Sequence, residues 1–384
     1  MLNLVVPVAG AGSRFKEVGY DMPKQLIMVG DKTNIEWSMS CLKRGPGVRT
    51  IFIMREDQRL NFAMDEVLRN KFGADCRVVI VPELTRGAAE TVLAAKSFID
   101  NDDPLVIYTP DTYFEPHLRV SEDICGDADG HIVTFKANNP AYSYVAKDPV
   151  GRVTTTREKR VISTNAAAGV YAFARGKSFV AAATKMIEED TRTNGEFYIC
   201  PVYNELMAQG HFITTSEVPK IHLFGTPEEM DFFVTASTRT MSNAEQRVVL
   251  CADHSGYELK ERTKELLAEW SISTIDCGTF SFRDCDYSAF VRSACQFVLR
   301  DPTLFGMGFC RTGQGVNITA NSVPGIRAAL VFDEYTAEHA IRHNCANFFS
   351  VSSKYTDNVG DIIRAWQQNT FDGGRHQNRL QGSQ

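Results

Sequence analysis

Residues 304–315 read Leu-Phe-Gly-Met-Gly-Phe-Cys-Arg-Thr-Gly-Gln-Gly. A short unbroken apolar run that ends in a glycine-rich turn reads as a strand covered on both faces. Residues 247–256, Arg-Val-Val-Leu-Cys-Ala-Asp-His-Ser-Gly, follow the same plan. Further strand-like runs fall at 272–276, 326–332 and 347–352, with helical runs between and after them. In the first of these helices Leu259, Leu266, Leu267 and Trp270 share one face. Strands separated by helices require right-handed parallel crossovers, so 247–384 is predicted to be a doubly wound, five-stranded parallel sheet.

Ligands bind off the carboxyl ends of the strands in such sheets, so the loops at Asp253-His254 and at Cys310 are expected to face one crevice. Cys310 stands where a helix begins, a position suited to a thiol acting as a base. The glycines after it, Gly313 and Gly315, expose N–H groups able to hold an oxyanion. Arg375 and Arg379, four apart, would present both guanidiniums to a phosphate if the tail is helical. Thiol, oxyanion donors, imidazoles and a phosphate clamp together suit proton transfer next to the carbonyl of a phosphorylated sugar.

These residues resemble the B-type ribose-5-phosphate isomerase family, with its galactose-6-phosphate isomerase subunits. The motifs are Asp253-His254-Ser255-Gly256, Asp276-Cys277-Gly278-Thr279, Asp286-Tyr287, the Cys310 loop, Ala320-Asn321, Gly325 to Ala329, His343-Asn344 and Gly373 to Arg379. The resemblance implies that Cys310 abstracts the C1 or C2 proton and that Thr312 assists at the oxygens. It implies an enediolate held on the N–H groups of residues 313–316 and steadied by Asn344, and a furanose ring opened by His343 with Asp253. His254, Arg375 and Arg379 would hold the phosphate and Tyr287 would line the pocket, with no cofactor. The family completes its site across a subunit interface, which implies a homodimer or higher oligomer. Arg311 stands where the family usually has glycine, and Ser322 where it has lysine. His339 and His343 are four apart on one helix, but no third ligand or H-E-x-x-H pattern supports a metal there.

The first segment also opens strand, glycine loop, helix. Leu4 to Ala9 leads into Gly10-Ala11-Gly12-Ser13-Arg14-Phe15. Phe15 stands where a dinucleotide fingerprint needs its third glycine, and the Gly-Lys-Ser/Thr of a Walker loop is absent. The loop instead carries Arg14, and Lys24 follows Pro23, two cations suited to a triphosphate and its leaving pyrophosphate. Strand-like runs at 50–54, 78–82, 105–109, 131–136 and 166–173 and helical runs near 34–43, 56–70 and 87–99 give an α/β reading with a mixed sheet.

This segment resembles the nucleotide-sugar pyrophosphorylase (sugar-phosphate nucleotidyltransferase) family, in a Rossmann-like domain. The resemblance rests on the glycine loop with Pro23-Lys24, Arg86 to Thr91, Tyr108-Thr109-Pro110-Asp111, Glu158-Lys159, Ala168 to Tyr171 and Gly195 to Tyr198. It implies that Gly10, Ala11, Gly12, Ser13 and Gly87 contact the nucleotide, that Arg14 and Lys24 act on the phosphates, and that Asp111 holds Mg²⁺. Lys159, Glu158 and Gly169 would face the sugar phosphate. Many family members carry a second metal aspartate where this chain has Leu223. Taken alone, Glu158 reads nearly as well as a solvated surface charge, and Tyr171 and Phe197 read as core aromatics.

The chain has 384 residues, 43% hydrophobic and 23% charged, enough for two cores. A net charge of −6 speaks against a nucleic-acid partner, and no apolar run approaches a membrane span. The ten cysteines show no C-x-x-C pair and no clustering with histidine, as expected of reduced thiols in a cytoplasmic protein. The polar stretch 238–246 is expected to separate a 1–240 nucleotidyltransferase-like domain from a 247–384 isomerase-like domain. The expectation is a bifunctional sugar-phosphate enzyme using an NTP, with CTP preferred on resemblance. The rival reading is a nucleotidyltransferase carrying a non-catalytic sugar-phosphate sensor and dimerisation domain.

Overall fold

A computed structural model describes residues 1–30, 32–124, 127–238, 247–301 and 303–381. Contacts divide the chain into two compact units. The first comprises Met1–Gly12, Asn34–Arg59 and Met64–Phe233, and the second Ser13–Thr33, Leu60–Ala63 and Val234–Gln384. The sequence places one crossing at 238–246, of which 239–246 lies outside the described residues. The structure adds two short N-terminal segments to the second unit, because their aromatic residues find cover there. Phe62 meets Phe290 edge-on at 5.9 Å, and Tyr20, 2% exposed, lies under the Arg300 guanidinium at 5.4 Å.

In the first unit the strands of the main sheet are β1 (Leu2–Pro7), β2 (Val48–Arg55), β3 (Arg77–Val81), β4 (Leu105–Tyr108), β5 (Gly130–Lys136), β6 (Ser143–Lys147), β7 (Val153–Glu158), β8 (Asn165–Phe173) and β9 (Ile213–Glu217). They form one mixed sheet in the order β7-β6-β8-β4-β1-β2-β3, with β5 pairing both β8 and β9. Sequence patterning finds the parallel part, β4-β1-β2-β3, and the antiparallel strands β5 and β8. Strands β7 and β9 are short and rich in threonine and serine and escape that pattern, as does the five-residue β6, Ser-Tyr-Val-Ala-Lys. The helix expected over 56–70 is broken at Ala63, whose φ of +48° ends one helix at Phe62 before the next starts at Met64. That expected over 87–99 is two short helices, Ala88–Leu93 and Lys96–Ile99.

The second unit holds β10 (Arg247–Ala252), β11 (Ser273–Asp276), β12 (Leu304–Cys310), β13 (Ala328–Val331) and β14 (Phe348–Ser352). All pair in parallel, in the order β11-β10-β12-β14-β13. The chain leaves β10 toward one edge and returns to the other side of it, so the switch point lies between β10 and β12. The helix Tyr257–Glu269 brings Lys260, fully buried, to both Asp276 carboxylate oxygens at 2.7 and 2.6 Å, and Lys264 joins at 2.8 Å. Burial alone would raise the Asp276 pKa, but the two ammonium groups hold it below the usual carboxylate value.

Candidate active sites

At the switch point of the second unit, the loops after β10, β12 and β14 are tied together. Asp253 N–H donates to Phe309 O at 3.2 Å, and Ser353 N–H to Cys310 O at 3.0 Å. The Ser352 hydroxyl donates to Arg311 O at 2.8 Å, the Ser353 hydroxyl to Ser255 O at 2.8 Å, and the Ser350 hydroxyl to Gly313 O at 2.5 Å. Cys310, 4% exposed, closes β12 inside this frame. Gly313, with φ of +76°, caps the helix Gln314–Asn321, and Gln314 N–H bonds the Thr312 hydroxyl at 3.4 Å. A Cβ on Gly315 would stand 2.5 Å from Cζ of Tyr287, so the Tyr287 ring lies directly on the glycine turn.

Asp253 is nearly buried and accepts from Gly256 N–H at 2.8 Å; burial raises its pKa, so its carboxyl holds a proton more readily than an exposed one. His254 accepts from Cys285 N–H on Nδ1 at 3.2 Å, which leaves Nε2 facing Asp284 at 3.4 Å.

The other candidates form a second cluster. His343 lies face to face with His376 at 4.1 Å, edge-on to His339 at 4.7 Å, and 3.8 Å from the Asp372 carboxylate. Arg375 donates from Nε to Nε2 of the buried His376 at 3.3 Å. Burial lowers the His376 pKa, and the charges of His343, Arg375 and Arg379 add to that. The tail is helical over Arg375–Gln381, so Arg375 and Arg379 share a face as the spacing predicts. Asn344 is exposed beside them.

These two clusters occupy opposite ends of the sheet. Cys310, Thr312 and Asp253 follow the carboxyl ends of strands. The helix Glu334–Asn344 runs back from β13, and its end meets the strands' amino ends. There Arg327, just before β13, donates to Cys345 O at 2.6 Å. The intervening strands span roughly 15–20 Å at ~3.3 Å per residue. Within one chain the thiol and His343 do not meet.

In the first unit, Gly10 and Ala11 are exposed after β1, and a Cβ at Gly10 or Gly12 would meet nothing within 4 Å. Arg55 braces this loop, donating to Ala9 O at 2.6 Å and Gly10 O at 2.7 Å. A lone arginine ending a strand carries no sequence signal that distinguishes this brace. Ser13 and Arg14, in a short helix, and Lys24, in a single 3₁₀ turn, belong to the second unit.

Asp111 follows β4. Its carbonyl accepts from Phe224 N–H at 2.8 Å, and Leu223 pairs with Thr112, so position 223 lies beside it in the chain fold. Gly169 lies so close to Thr109 that a Cβ would sit 2.6 Å from the hydroxyl. Gly87 (φ +142°) is required by the Phe197 backbone, 2.4 Å from a would-be Cβ. Phe197 and Tyr171 are core residues as expected. Glu158 is not solvated. It is buried, the Ser143 hydroxyl donates to it, and burial raises its pKa. Lys159 reaches the Tyr198 hydroxyl at 2.5 Å. Among the described residues no three His, Cys, Asp or Glu side chains form a metal cluster, no helix is long and apolar enough to cross a membrane, and the cysteines are free thiols.

A family model described as Nucleotidyl transferase matches residues 4–216, and one described as Ribose/Galactose Isomerase matches residues 248–382. A Rickettsia typhi protein named as a candidate sugar phosphate isomerase is 37% identical over 135 residues, 35% of this chain and 94% of its own length. Ribose-5-phosphate isomerase B of Mycobacterium tuberculosis is 40% identical over 109 residues, 28% of this chain and 67% of that protein. The crystal structure of a nucleoside-diphosphate-sugar pyrophosphorylase from Vibrio cholerae aligns with a TM-score of 0.51 at 24% identity, over 60% of this chain and 99% of that one, a likeness of fold. The chain thus belongs to the nucleotidyl transferase family through residues 4–216 and to the ribose/galactose isomerase family through residues 248–382.

Proposed function

We propose that the chain is a bifunctional sugar-phosphate enzyme. Its second family region interconverts a phosphorylated aldose and ketose, with a pentose 5-phosphate as substrate. Its first transfers a nucleotidyl group from an NTP, CTP by preference, to a sugar phosphate and releases pyrophosphate. The observation that carries the isomerase reading is the braced thiol loop at the switch point. Cys310 takes the proton from the carbon beside the carbonyl, and Thr312 moves a proton between the two oxygens. The enediolate rests on the N–H groups that Gly313 begins, in a frame set before substrate arrives.

His343, Asn344, Arg375 and Arg379 act on the substrate bound at the thiol of a second copy, because their own thiol lies beyond the sheet. His343 opens the sugar ring with the partner copy's acid, the counterpart of Asp253. The arginines and His254 hold the phosphate. This reading requires a homodimer.

For nucleotidyl transfer, the N–H groups of Gly10 to Ser13 take the nucleotide phosphates, Arg14 and Lys24 neutralise the leaving pyrophosphate, and Gly87 adjoins the base. Lys159, Glu158 and Gly169 face the acceptor. Asp111 is one carboxylate beside Leu223, a set that fits Mg²⁺, which takes one or two carboxylates and fills its shell with substrate phosphate and water. Bound there, Mg²⁺ would neutralise phosphate charge for in-line attack.

Arg311 favours the sensor reading, since it sets a side chain on the oxyanion loop. Proton exchange at the sugar carbon in D₂O, read by NMR across pentose and hexose phosphates, decides between the two. Exchange in wild type that vanishes in Cys310→Ala supports the enzyme, and absence of wild-type exchange across the panel supports the sensor.

A further inference from the structure

The helix Tyr287–Arg300 of the second unit makes distinct contacts at its start and along its later turns. Its start is capped by Asp286, which accepts from Ser288 N–H at 2.8 Å, and its first residue, Tyr287, lies on Gly315 of the thiol loop. Further along, Arg292, Gln296 and Arg300 recur every four residues and so form one stripe. That stripe meets three consecutive residues of the Ser13–Thr33 segment. Arg292 pairs with Asp21 at 3.0 Å, the Gln296 amide lies 3.7 Å from where a Gly19 Cβ would be, and Arg300 covers Tyr20.

The clasped turn is compact. Tyr20 N–H bonds Phe15 O at 3.0 Å, Gly19 N–H bonds Lys16 O at 3.0 Å, and the Phe15 and Tyr20 rings are both buried. Arg14 lies before this turn and Lys24 after it. The exposed Asp21–Arg292 pair contributes little alone, and the hold on the turn comes from all three positions of the stripe together.

Resting on the bifunctional reading above, we propose that Arg292, Gln296 and Arg300 are positioning residues for nucleotidyl transfer. They hold the segment that carries Arg14 and Lys24 on the same helix that closes the thiol pocket. A sugar phosphate at that pocket presses on Tyr287, and a packed helix of about 20 Å carries the displacement to the clasp. The two activities are coupled, and the coupling is reciprocal in binding.

The test uses the full chain. Ribose 5-phosphate binding is measured first. Then whichever of CTP, ATP, GTP and UTP binds tightest is titrated by calorimetry with and without saturating ribose 5-phosphate. This is done in wild type, in Cys310→Ala and in the double variant Asp21→Ala with Arg300→Ala. The nucleotide Kd is expected to shift about 3–10-fold in wild type and Cys310→Ala, with the same factor for ribose 5-phosphate when nucleotide is added first. In the double variant the shift falls away while isomerase turnover stays at the wild-type level. Arg292→Gln, which leaves the aromatic contacts alone, weakens the shift in the same direction. A wild-type shift that is absent, or one that persists undiminished in both variants, overturns the coupling alone. No binding of ribose 5-phosphate, or of any nucleotide, overturns the coupling together with the matching half of the bifunctional reading.

Discussion

The two glycine loops of this chain are built to opposite standards. The loop at Cys310 is fixed by the Ser350 and Ser352 hydroxyls and the Ser353 N–H and crowded by Tyr287, whereas the loop at Gly10 has open space around its glycines and is braced by Arg55. An enediolate is small and short-lived, so its donors have to be in place beforehand. A triphosphate is large and carries its own charge, so its loop can take final shape around the ligand. A glycine can thus shape a loop by packing, as Gly315 does, or by leaving room, as Gly10 does.

The largest expected effect is that of Cys310→Ala. It removes the only group proposed to take the carbon-bound proton, so exchange in D₂O should fall to background while ribose 5-phosphate still binds through Arg375 and Arg379. Next comes the frame beneath the thiol loop. Asp276→Asn leaves the buried Lys260 with Glu261, at 2.6 Å, as its remaining carboxylate and should cost about 3 kcal/mol in urea unfolding, with no comparable loss from Asp57→Asn in the first unit. The sign with pH follows. The Asp276 pKa is lowered in the folded state, so its stabilisation is present above the unfolded value near ~3.9 and is lost as pH falls through the lower folded value.

On the open loop, Arg14→Ala should lower kcat for pyrophosphate release by ~10²-fold, because the guanidinium acts on charge that grows in the reaction. The smallest effects sharpen the contrast most. Gly315→Ala must displace the Tyr287 ring and should lower isomerase kcat by roughly tenfold, with a falling Tm. Gly10→Ala meets no atom and should change stability by less than ~0.5 kcal/mol, any loss showing in KM for the nucleotide.

Much of this was legible because the second unit obeys one rule throughout. Strands such as β12, buried on both faces, read as continuous apolar runs, and the loops at Asp253 and Cys310 follow strands' carboxyl ends. The edge strands β7 and β9 were not legible, since strands rich in Thr and Ser resemble loops when no neighbour is known. Glu158 looked like a surface charge because its burial comes from Ser143 and the segment around it, 15 residues away in sequence. The clasp of Gly19 to Asp21 by Arg292, Gln296 and Arg300 joins residues more than 250 apart, which no local pattern records.

The separation of Cys310 from His343 follows from topology once the strand order is known, and it carries the central claim that two copies make one isomerase site. Cys310→Ala and His343→Ala chains, each inactive alone, can be mixed, unfolded and refolded together, and ribose 5-phosphate isomerisation measured. Half the resulting dimers would pair the two variants, each with one intact site, so the account predicts a return of about a quarter of the wild-type rate. A mixture as inactive as its parents would contradict it.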